Sequence, residues 1–298
     1  SLKVWHPDIL EFIKCKHKEE QKAHCLIQKG GYEANFNGEA YSSILFQNAN
    51  LSVRVTDEYM KAVQADAPWS TRFVTDSSIE GPTYQARELL DRMADCAWHC
   101  GDPGVQYDTT INRWHTCTNS GRINASNPCS EYMFLDDTAC NLASINLMAL
   151  QHEKGGIDIP MFEHAVRLWT ITLEIAVLMA QFPSKEIAQR SYDYRTLGLG
   201  YANIGGLLMG SGLPYDSDQS RALCGAITAL MTGVAYATSA EMAEELGTFP
   251  EYDHNAEPML RVIRNHRQAA HGHNSGYEDL TVTPVPLDHS VCPEPTLA

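Results

Sequence analysis

The sequence has 298 residues, with 22 Lys and Arg against 37 Asp and Glu, and its formal net charge at pH 7 is −15. A chain this acidic, without a basic block, has no electrostatic surface for polymeric DNA or RNA or for an anionic membrane, although a local site can still bind one nucleotide. The 44% hydrophobic and 20% charged residues are typical of a globular protein with a sizeable core.

The first part of the chain shows the patterns of alternating helices and strands. Pro7 suits the first turn of a helix, and apolar side chains at helical spacing extend it over about residues 7–20. Alternating apolar and polar residues predict a strand at 51–55, after which Thr56 can cap a helix. Two further elements follow in chain order, a weaker strand at 72–74 and a helix over about 83–99.

Helical spacing dominates the second half of the chain. Apolar residues from Phe162 to Ala180 predict a long amphipathic helix that ends before Pro183. A short strand is predicted at 195–197. Two later helices are predicted, one capped by Asp216 or Ser217 and running toward Gly247, and one over about 257–270. Strands that alternate with helices indicate an α/β fold with parallel strands.

The two ends of the chain and its cysteines bear on its organisation. Ser1 to Trp5 show no charged segment followed by an apolar one, so we expect no export signal and an internal portion of a longer chain. The residues after Gly272 carry four prolines and little periodicity, which predicts a connector over 273–298. Nine cysteines, an odd number at low density, indicate a reducing cytoplasm rather than a disulfide scaffold.

One segment has the composition of a membrane span. Ala222–Ala240 contains no charged residue, and an apolar run of this length is the usual sign of a transmembrane helix. The run consists mostly of small residues, is flanked directly by Arg221 and Glu241, and lacks aromatic belts at its ends. A helix buried inside a soluble protein is therefore favoured, and no membrane partner is expected.

A zinc site is the first alternative use of the cysteines. Cys96, His99, Cys100 and Cys117 include side chains that bind metals, but structural zinc sites have two close ligand pairs and the second pair is missing here. Buried thiols at a helix end, before the turn at 101–104, are the favoured interpretation. We therefore expect no metal ligands in the chain.

Two further motifs suggest ligands but favour structural explanations. Glycines between Gly198 and Gly212 resemble a dinucleotide fingerprint, but Asn203 stands where the third glycine is required, so close backbone packing is favoured. Asp136 and Asp137 are adjacent and would point to opposite faces of a strand, which favours solvated or capping groups over a metal site.

The most informative stretch is Ser126–Tyr132. Pro128 disfavours the helical region for Asn127 and lacks an N–H, so the segment is predicted to be extended. Alternate side chains of an extended segment share a face, which would bring Asn127, Cys129 and Glu131 together. A neighbouring carboxylate favours the neutral thiol, a poor nucleophile but a suitable donor of a hydrogen atom. Glu131 can act as a general base, and the amide can hold hydroxyls. A cysteine that merely packs in a bent loop is the alternative.

Asn127–Leu147 closely resembles the active-site finger loop of ribonucleotide reductases, in the version of the adenosylcobalamin-dependent (class II) enzymes. Other stretches resemble that family in the expected order: His6–Ile9, Leu51–Met60, Gly101–Gly104, Leu197–Gly206 and Ala240–Pro250. The resemblance implies that residues 1–272 are part of the family's ten-stranded α/β barrel, with a catalytic finger loop that enters the centre of the barrel.

The resemblance also implies roles for individual residues. It indicates that Cys129 becomes the thiyl radical that removes the ribose 3′ hydrogen, and that Glu131 takes the 3′-hydroxyl proton. Asn127 corresponds to the amide that binds the ribose hydroxyls, and Ser130 is placed with Asn127 and Glu131 in substrate binding. The expected function is the reduction of ribonucleotides to 2′-deoxyribonucleotides for DNA synthesis.

Cofactor and partners follow from the same resemblance. Cys140 corresponds to one member of a redox cysteine pair whose partner is expected outside this chain, with Cys15 and Cys25 as weaker candidates. The cofactor is expected to be adenosylcobalamin, which supplies the initiating radical. The expected partners are a ribonucleoside di- or triphosphate, a nucleotide effector, a thioredoxin-type reductant and a second copy in a homodimer.

Two other functions stay open at the level of sequence. The missing partner of Cys140 suggests a catalytically incomplete module of the same fold, which binds nucleotides or supports assembly. A structural zinc module built on the cysteine and histidine cluster is the other. Even for the reductase hypothesis, residues 1–298 are expected to be inactive alone.

Overall fold

The computed structural model describes residues 1–152, 156–294 and 297. The chain divides into two compact units. The first unit comprises Ser1–Arg113 and Ile123–Phe134, and the second unit comprises Trp114–Arg122 and Leu135–Ala298. Helices and strands are mixed in both units, so the predicted α/β class is confirmed.

The first unit is built around a small parallel sheet. In chain order its elements are β1 (Leu2–Lys3), α1 (Ile9–Gly30), α2 (Glu39–Ser42), β2 (Ser52–Val55), α3 (Asp57–Gln64), β3 (Pro68–Arg72), β4 (Glu80–Gln85), α4 (Ala86–Cys100), β5 (Gly104–Tyr107) and α5 (Asp108–Arg113). Among the described residues, β1, β2 and β5 form a parallel sheet with β2 in the centre, and β3 pairs with β4 in an antiparallel hairpin.

The two faces of strand β2 have different environments. Val53 and Val55 are fully buried and belong to the core cluster that includes Ile9 and Ile13 of α1. Because successive side chains of a strand point to opposite faces, Arg54 projects away from this core. In the sheet register, Lys3, Arg54 and Gln106 stand in one row across β1, β2 and β5. This polar row supports the candidate site described below.

The second unit places helices against a parallel strand pair. In chain order its elements are β6 (Asn141–Asn146), a 3-10 helix (Leu147–Leu150), α6 (Ile159–Met179), α7 (Lys185–Tyr194), β7 (Leu197–Ala202), α8 (Ile204–Gly210), α9 (Asp218–Leu246) and α10 (Tyr252–Ala270). Strands β6 and β7 pair in parallel over their full lengths, from Asn141 beside Leu197 to Asn146 beside Ala202. The core between them and the helices includes Ile145, Phe162, Val166, Leu207 and Ile227.

Two predicted helix caps are confirmed. The Thr56 hydroxyl accepts a hydrogen bond from the backbone N–H of Tyr59 at the start of α3, at 3.4 Å. The Ser217 hydroxyl accepts one from Ser220 at the start of α9, at 3.1 Å, so Ser217 and not Asp216 is the cap. Both are local interactions, which is why sequence patterns can predict them.

Other element boundaries differ from the predictions. Helix α1 extends to Gly30, well past residue 20, and ends at Gly31 in the left-handed conformation. The strand predicted at 72–74 is wrong in position, because β3 ends at Arg72 where its pairing with β4 ends. Strand β4 then occupies residues before Ala86 that were assigned to the helix.

Helix α9 is long and apolar enough to cross a membrane by length and composition. In the structure it packs one face against α6 and the strand pair, and 33% of its most apolar stretch is buried. The expected burial therefore applies to one face, which includes Leu223 and Ile227. A single helix of this kind is weak evidence for a membrane span.

The segment after α10 forms no helix or strand among its described residues, which run from 271 to 294 and include 297. It nevertheless packs, since Leu287 and Cys292 contact Ala222 and Ala226 of α9. The backbone N–H of Leu287 also donates to the Ala269 carbonyl at 2.9 Å. The role of 273–298 as a connector stays a prediction, and residues 295, 296 and 298 lie outside the described residues.

His115 gives the second unit a built-in acid sensitivity. Its side chain is 2% exposed, and burial lowers its pKa to about 4, only partly opposed by a hydrogen bond with the Gly121 backbone. Between about pH 6.5 and pH 4 the His115 imidazole is therefore protonated in the unfolded chain and neutral in the folded chain. We expect the free energy of unfolding to fall by up to about 3 kcal/mol as the pH is lowered across this interval.

Urea unfolding of the wild type and of His115→Gln at pH 7 and pH 4.5 measures this effect. The Gln variant should lose the His115 part of the pH dependence, because glutamine does not titrate in this range. His164→Gln is the matched control, since His164 is exposed and its replacement should leave the pH dependence intact. Equal pH dependence in the wild type and His115→Gln would contradict the prediction.

Candidate active-site loop

Residues 127–130 form a tight turn in the first unit. The Ser130 N–H donates to the Asn127 carbonyl at 3.1 Å, and Pro128 takes the second position, where its fixed φ is favourable. Ser130 has a φ of 69°, in the left-handed region. The predicted extended conformation of 127–131 is therefore wrong, because Pro128 fixes its own φ and restricts the residue before it but does not prevent a chain reversal at the residues after it.

This turn changes how the candidate catalytic residues are presented. Cys129 lies in the turn, and its free thiol belongs to an exposed residue. Glu131 is also exposed, just after the turn. The argument that alternate side chains share one face does not apply to a turn, so the convergence of Asn127, Cys129 and Glu131 on one site stays a prediction.

Asn127 holds both ends of the turn. Its backbone carbonyl accepts from Ser130, and its side-chain Oδ1 accepts from the Tyr132 N–H at 2.9 Å. Such bonds from an Asn side chain to nearby backbone are typical of turns. The Asn127 Nδ2 group donates no hydrogen bond to the part of the chain that the structure describes, which leaves a donor for a ligand.

The serines of the loop are bonded to the sheet beneath them. Gln106 of β5 is 4% exposed, and its Nε2 donates to the Ser126 hydroxyl at 2.7 Å and to the Ser130 hydroxyl at 2.9 Å. The Gln106 Oε1 accepts from the Arg54 Nη1 at 3.1 Å. The Ser130 side chain therefore supports the loop, and its role in substrate binding stays a prediction.

A buried ion pair completes this network. The Arg54 Nε donates to the Asp108 Oδ1 at 2.8 Å, and the Arg54 Nη2 donates to the Ile123 carbonyl at 3.0 Å. Lys3 also donates to Asp108, at 3.0 Å. Burial alone would raise the pKa of Asp108, but the hydrogen bonds from Arg54 and Lys3 outweigh burial and hold that pKa below its ordinary value. Asp108 is thus an ionised partner for Arg54 at neutral pH.

Sequence reasoning did not single out Arg54 or Gln106. Arg54 occupies the polar position of the alternating strand 52–55, which usually faces solvent, yet its side chain is fully buried. Gln106 lies in β5, two residues after the segment at 101–104, which was interpreted as a turn and as a stretch that resembles the family. The available signal was a charged residue between the β-branched residues of a strand, because burial of a charged side chain costs free energy unless that side chain is paired.

Cys140 lies in the second unit, immediately before β6. It is a half-buried cysteine, and its thiol donates to the Asn141 carbonyl at 3.5 Å. Across the strand pair stands Gly198, where an added Cβ would lie 2.7 Å from the Cys140 sulfur and would also collide with Leu142. The absence of a side chain at Gly198 gives Cys140 its space.

This close approach predicts opposite effects for two glycines of β7. Gly198→Ala should lower the free energy of unfolding by about 1–3 kcal/mol through overpacking. Gly200→Ala is the matched control, because the nearest atom to its added Cβ is the Ser144 hydroxyl at 3.9 Å, and it should be neutral or stabilising. Urea unfolding compares the two variants. Equal stability of the two would show that the space at Gly198 is not needed.

The two aspartates after the loop also differ from expectation. Asp136 and Asp137 lie in a turn and not in a strand, and both are exposed. Asp137 has a φ of 58°, and the Asp136 carbonyl accepts a hydrogen bond from Arg190 at 2.9 Å. Their surface position agrees with the predicted solvated role, although the strand argument behind it is wrong.

The metal-ligating side chains form a different group from the one considered on sequence. Among the described residues, His17, Asp95 and Cys96 bring one ligand atom each to within 4.8 Å of one another. The His17 Nδ1 lies 3.7 Å from the Cys96 sulfur. Burial raises the pKa of the Cys96 thiol, which disfavours the thiolate that zinc requires. Cys117 belongs to the second unit, and the expectation of no metal stays a prediction.

Comparison with known proteins decides the family. Residues 1–281 match the family described as "Ribonucleotide reductase, barrel domain". The chain belongs to this family. The match includes the whole of Asn127–Leu147, so the resemblance drawn from that motif is confirmed.

Relatives of the ribonucleotide reductase family cover most of the chain. Over 270 residues the chain is 62% identical to a protein of Rhodopirellula baltica named vitamin B12-dependent ribonucleotide reductase. The aligned region covers 90% of this chain and 26% of that protein. Proteins of the same name from Agrobacterium fabrum and Bradyrhizobium diazoefficiens are 56% and 54% identical, over 91% and 97% of this chain and 21% and 22% of theirs. The chain thus spans about a quarter of the length of these curated relatives.

Proposed function

We propose that this chain is the part of a vitamin B12-dependent ribonucleotide reductase that carries the radical cysteine. In this proposal the enzyme converts ribonucleotides to 2′-deoxyribonucleotides for DNA synthesis in the cytoplasm. The observation that carries the proposal is the turn at 127–130, which holds a free, exposed Cys129 between Asn127 and Glu131. The names of the relatives support the same activity.

The donor chemistry of the loop fits the adenosylcobalamin form of the cofactor. Adenosylcobalamin, when bound, supplies a carbon-centred radical that needs an accessible hydrogen-atom donor. Cys129 meets this need, because its thiol is free and the residue is exposed. Among the described residues we assign Cys129 alone to face the cofactor.

The loop residues then divide the reaction between them. The Cys129 thiyl radical removes the hydrogen from C3′, and Glu131 accepts the proton of the 3′-hydroxyl. Asn127 Nδ2 donates to the ribose hydroxyls and holds them in place. The 2′-hydroxyl leaves as water after it takes up one of the two protons that the thiol pair releases, and C2′ takes up the other. Glu131 then returns its proton to the 3′ oxygen. The Cys129 thiol finally returns its hydrogen atom to C3′, which restores the thiyl radical.

The two electrons for this reduction come from a thiol pair. Cys140 and a second cysteine each release a proton and an electron, and their sulfurs join in a disulfide. We propose that the second cysteine lies outside residues 1–298 and that a thioredoxin-type reductant restores the pair. Cys15 is a weaker candidate because burial raises its thiol pKa, and its thiol donates to the Phe12 carbonyl at 3.1 Å.

The proposal extends to the architecture and the partners. The parallel strands of the two units are proposed to belong to the ten-stranded α/β barrel of the family, with the finger loop in Asn127–Leu147. The substrate is a ribonucleoside di- or triphosphate. A nucleotide effector and a homodimer belong to the same proposal, as do the absence of a membrane and of a polymeric nucleic acid.

A reconstituted assay of the full-length protein tests the proposed function. The purified protein is incubated with adenosylcobalamin, a dithiol and either CDP or CTP, and the nucleotide products are separated by chromatography. We expect the 2′-deoxy product only when the cofactor and the dithiol are both present. Nucleotide binding without any deoxy product would instead favour the catalytically incomplete module, and would refute the reductase proposal.

A further inference from the structure

Gln106 connects the parallel sheet of the first unit to the loop that carries Cys129. We propose that Gln106, oriented by Arg54, is a positioning residue that holds the Cys129 turn in the geometry needed for hydrogen-atom transfer. This inference rests on the proposed function and adds to it a residue that acts through the serines of the loop. Its role is to fix the backbone on both sides of the reactive thiol.

The orientation of the Gln106 amide follows from its partner. Arg54 has hydrogen-bond donors only, so the Gln106 Oε1 must face the Arg54 Nη1, 3.1 Å away. The Nε2 group must then face the loop, where it donates to the hydroxyls of Ser126 and Ser130 at 2.7 Å and 2.9 Å. Arg54 is itself held by Asp108 and by the Ile123 carbonyl. An ordered chain of bonds therefore runs from the sheet to the loop.

The conformation of the turn requires this support. Ser130 has a φ of 69°, a left-handed conformation that is strained for a residue with a Cβ. Strained residues persist where surrounding interactions hold them, and the Gln106 bond to the Ser130 hydroxyl is such an interaction. Ser126 is held on the other side of Cys129 and donates to the Asn127 carbonyl at 2.7 Å. The same amide group thus secures the turn at both of its ends.

The position of the Cys129 sulfur depends on the backbone of the turn. The residue is exposed, so few contacts of its own side chain limit where the sulfur lies. Hydrogen-atom transfer depends on the distance between sulfur and C3′, and a displacement of about 1 Å can cost about 10²-fold in rate. Loss of the Gln106 contacts should therefore lower kcat much more than it raises KM.

The test uses Gln106→Met in the full-length protein, because methionine has a similar length and no amide. Tyr59→Phe is the matched control, since it removes one buried hydrogen bond of the same unit, from the Tyr59 hydroxyl to the Ala86 carbonyl, far in sequence from the loop. Amide hydrogen exchange of the peptide containing Ser130 and Tyr132 reports on the turn directly, because both N–H groups donate to Asn127. Steady-state kinetics of deoxynucleotide formation give kcat and KM.

We expect these amides to exchange at least about 10-fold faster in Gln106→Met, kcat to fall about 10- to 10²-fold, and KM to change less than about threefold. Tyr59→Phe should leave the loop exchange and kcat at wild-type values. Ser126→Ala should give a smaller loss than Gln106→Met, and its effect should be smaller in the Gln106→Met background than in the wild type, because the two substitutions share the Gln106–Ser126 contact.

Two results would overturn the inference. One is wild-type exchange and wild-type kcat in Gln106→Met, and the other is an equal acceleration of loop exchange in Tyr59→Phe, which would indicate general loosening. The exchange measurement needs no cofactor or substrate. It therefore still decides whether Gln106 holds the turn if the wild-type protein forms no deoxy product, a result that would refute the proposed function separately.

Discussion

Replacement of Cys129 by serine should reduce deoxynucleotide formation at least about 10³-fold, which places it near the detection limit. The hydroxyl is almost the same size as the thiol, but its O–H bond is much stronger than S–H and does not yield its hydrogen atom to a carbon radical. Because Cys129 is exposed in a turn, the substitution removes no core contact. The loss should therefore be a loss of chemistry, with the fold intact.

The measurement pairs product formation with nucleotide binding and urea unfolding of the same Cys129→Ser protein. Binding and unfolding midpoint should match the wild type. Cys224→Ser is the matched control, because the new hydroxyl can keep the contact that the Cys224 sulfur makes with the Tyr201 hydroxyl at 3.1 Å, and it should retain activity. Turnover by Cys129→Ser at the wild-type rate would remove Cys129 from the proposed mechanism.

The candidate catalytic residues of the loop and the local conformation of the loop differ in how far they can be predicted from the sequence. The assignment of Asn127, Cys129 and Glu131 to one catalytic group rests on a motif that lies within the family match, and it stays a prediction. Their local conformation did not follow, because a proline constrains the residue before it and says nothing about the positive φ of Ser130, three residues after Asn127. Turns that depend on a residue in the left-handed region other than glycine leave little trace in a sequence.

Distance along the chain explains most of what was missed in the supporting network. Thr56 and Ser217 cap helices through residues three positions away, so their roles were predictable. Arg54 finds Gln106 and Asp108 at separations of 52 and 54 residues, through pairing of strands β2 and β5. Such a contact becomes visible only when the sheet register is known. The buried polar row beneath the loop is therefore a result of the structure.

The same network predicts the largest effect on stability. Arg54→Met should lower the free energy of unfolding at pH 7 by about 3–5 kcal/mol, because it leaves the Asp108 carboxylate buried without its main partner. The Arg54 side chain is fully buried and Asp108 is 7% exposed, so water can replace little of the lost interaction. Lys3 still contacts Asp108, so we expect the variant to be less stable but still folded.

Urea unfolding of Arg54→Met measures the loss, and Arg92→Met is the matched control. Arg92 lies on α4 with half of its side chain exposed and with Asp95 at 3.9 Å, a surface pair that should contribute less than about 1 kcal/mol. Equal stability of the two variants would contradict the buried-pair argument.

The pH dependence of the free energy of unfolding of Arg54→Met and Arg92→Met is an independent test of the buried pair between Arg54 and Asp108. The folded-state pKa of Asp108 lies below its unfolded value of 3.8, so the stabilisation is present above that value and is lost as the pH falls through the folded pKa. In Arg54→Met the guanidinium no longer lowers the pKa of Asp108, and burial, which raises it, meets less opposition. The variant should therefore lose less stability than the wild type between pH 5 and pH 3, a difference that Arg92→Met should not show.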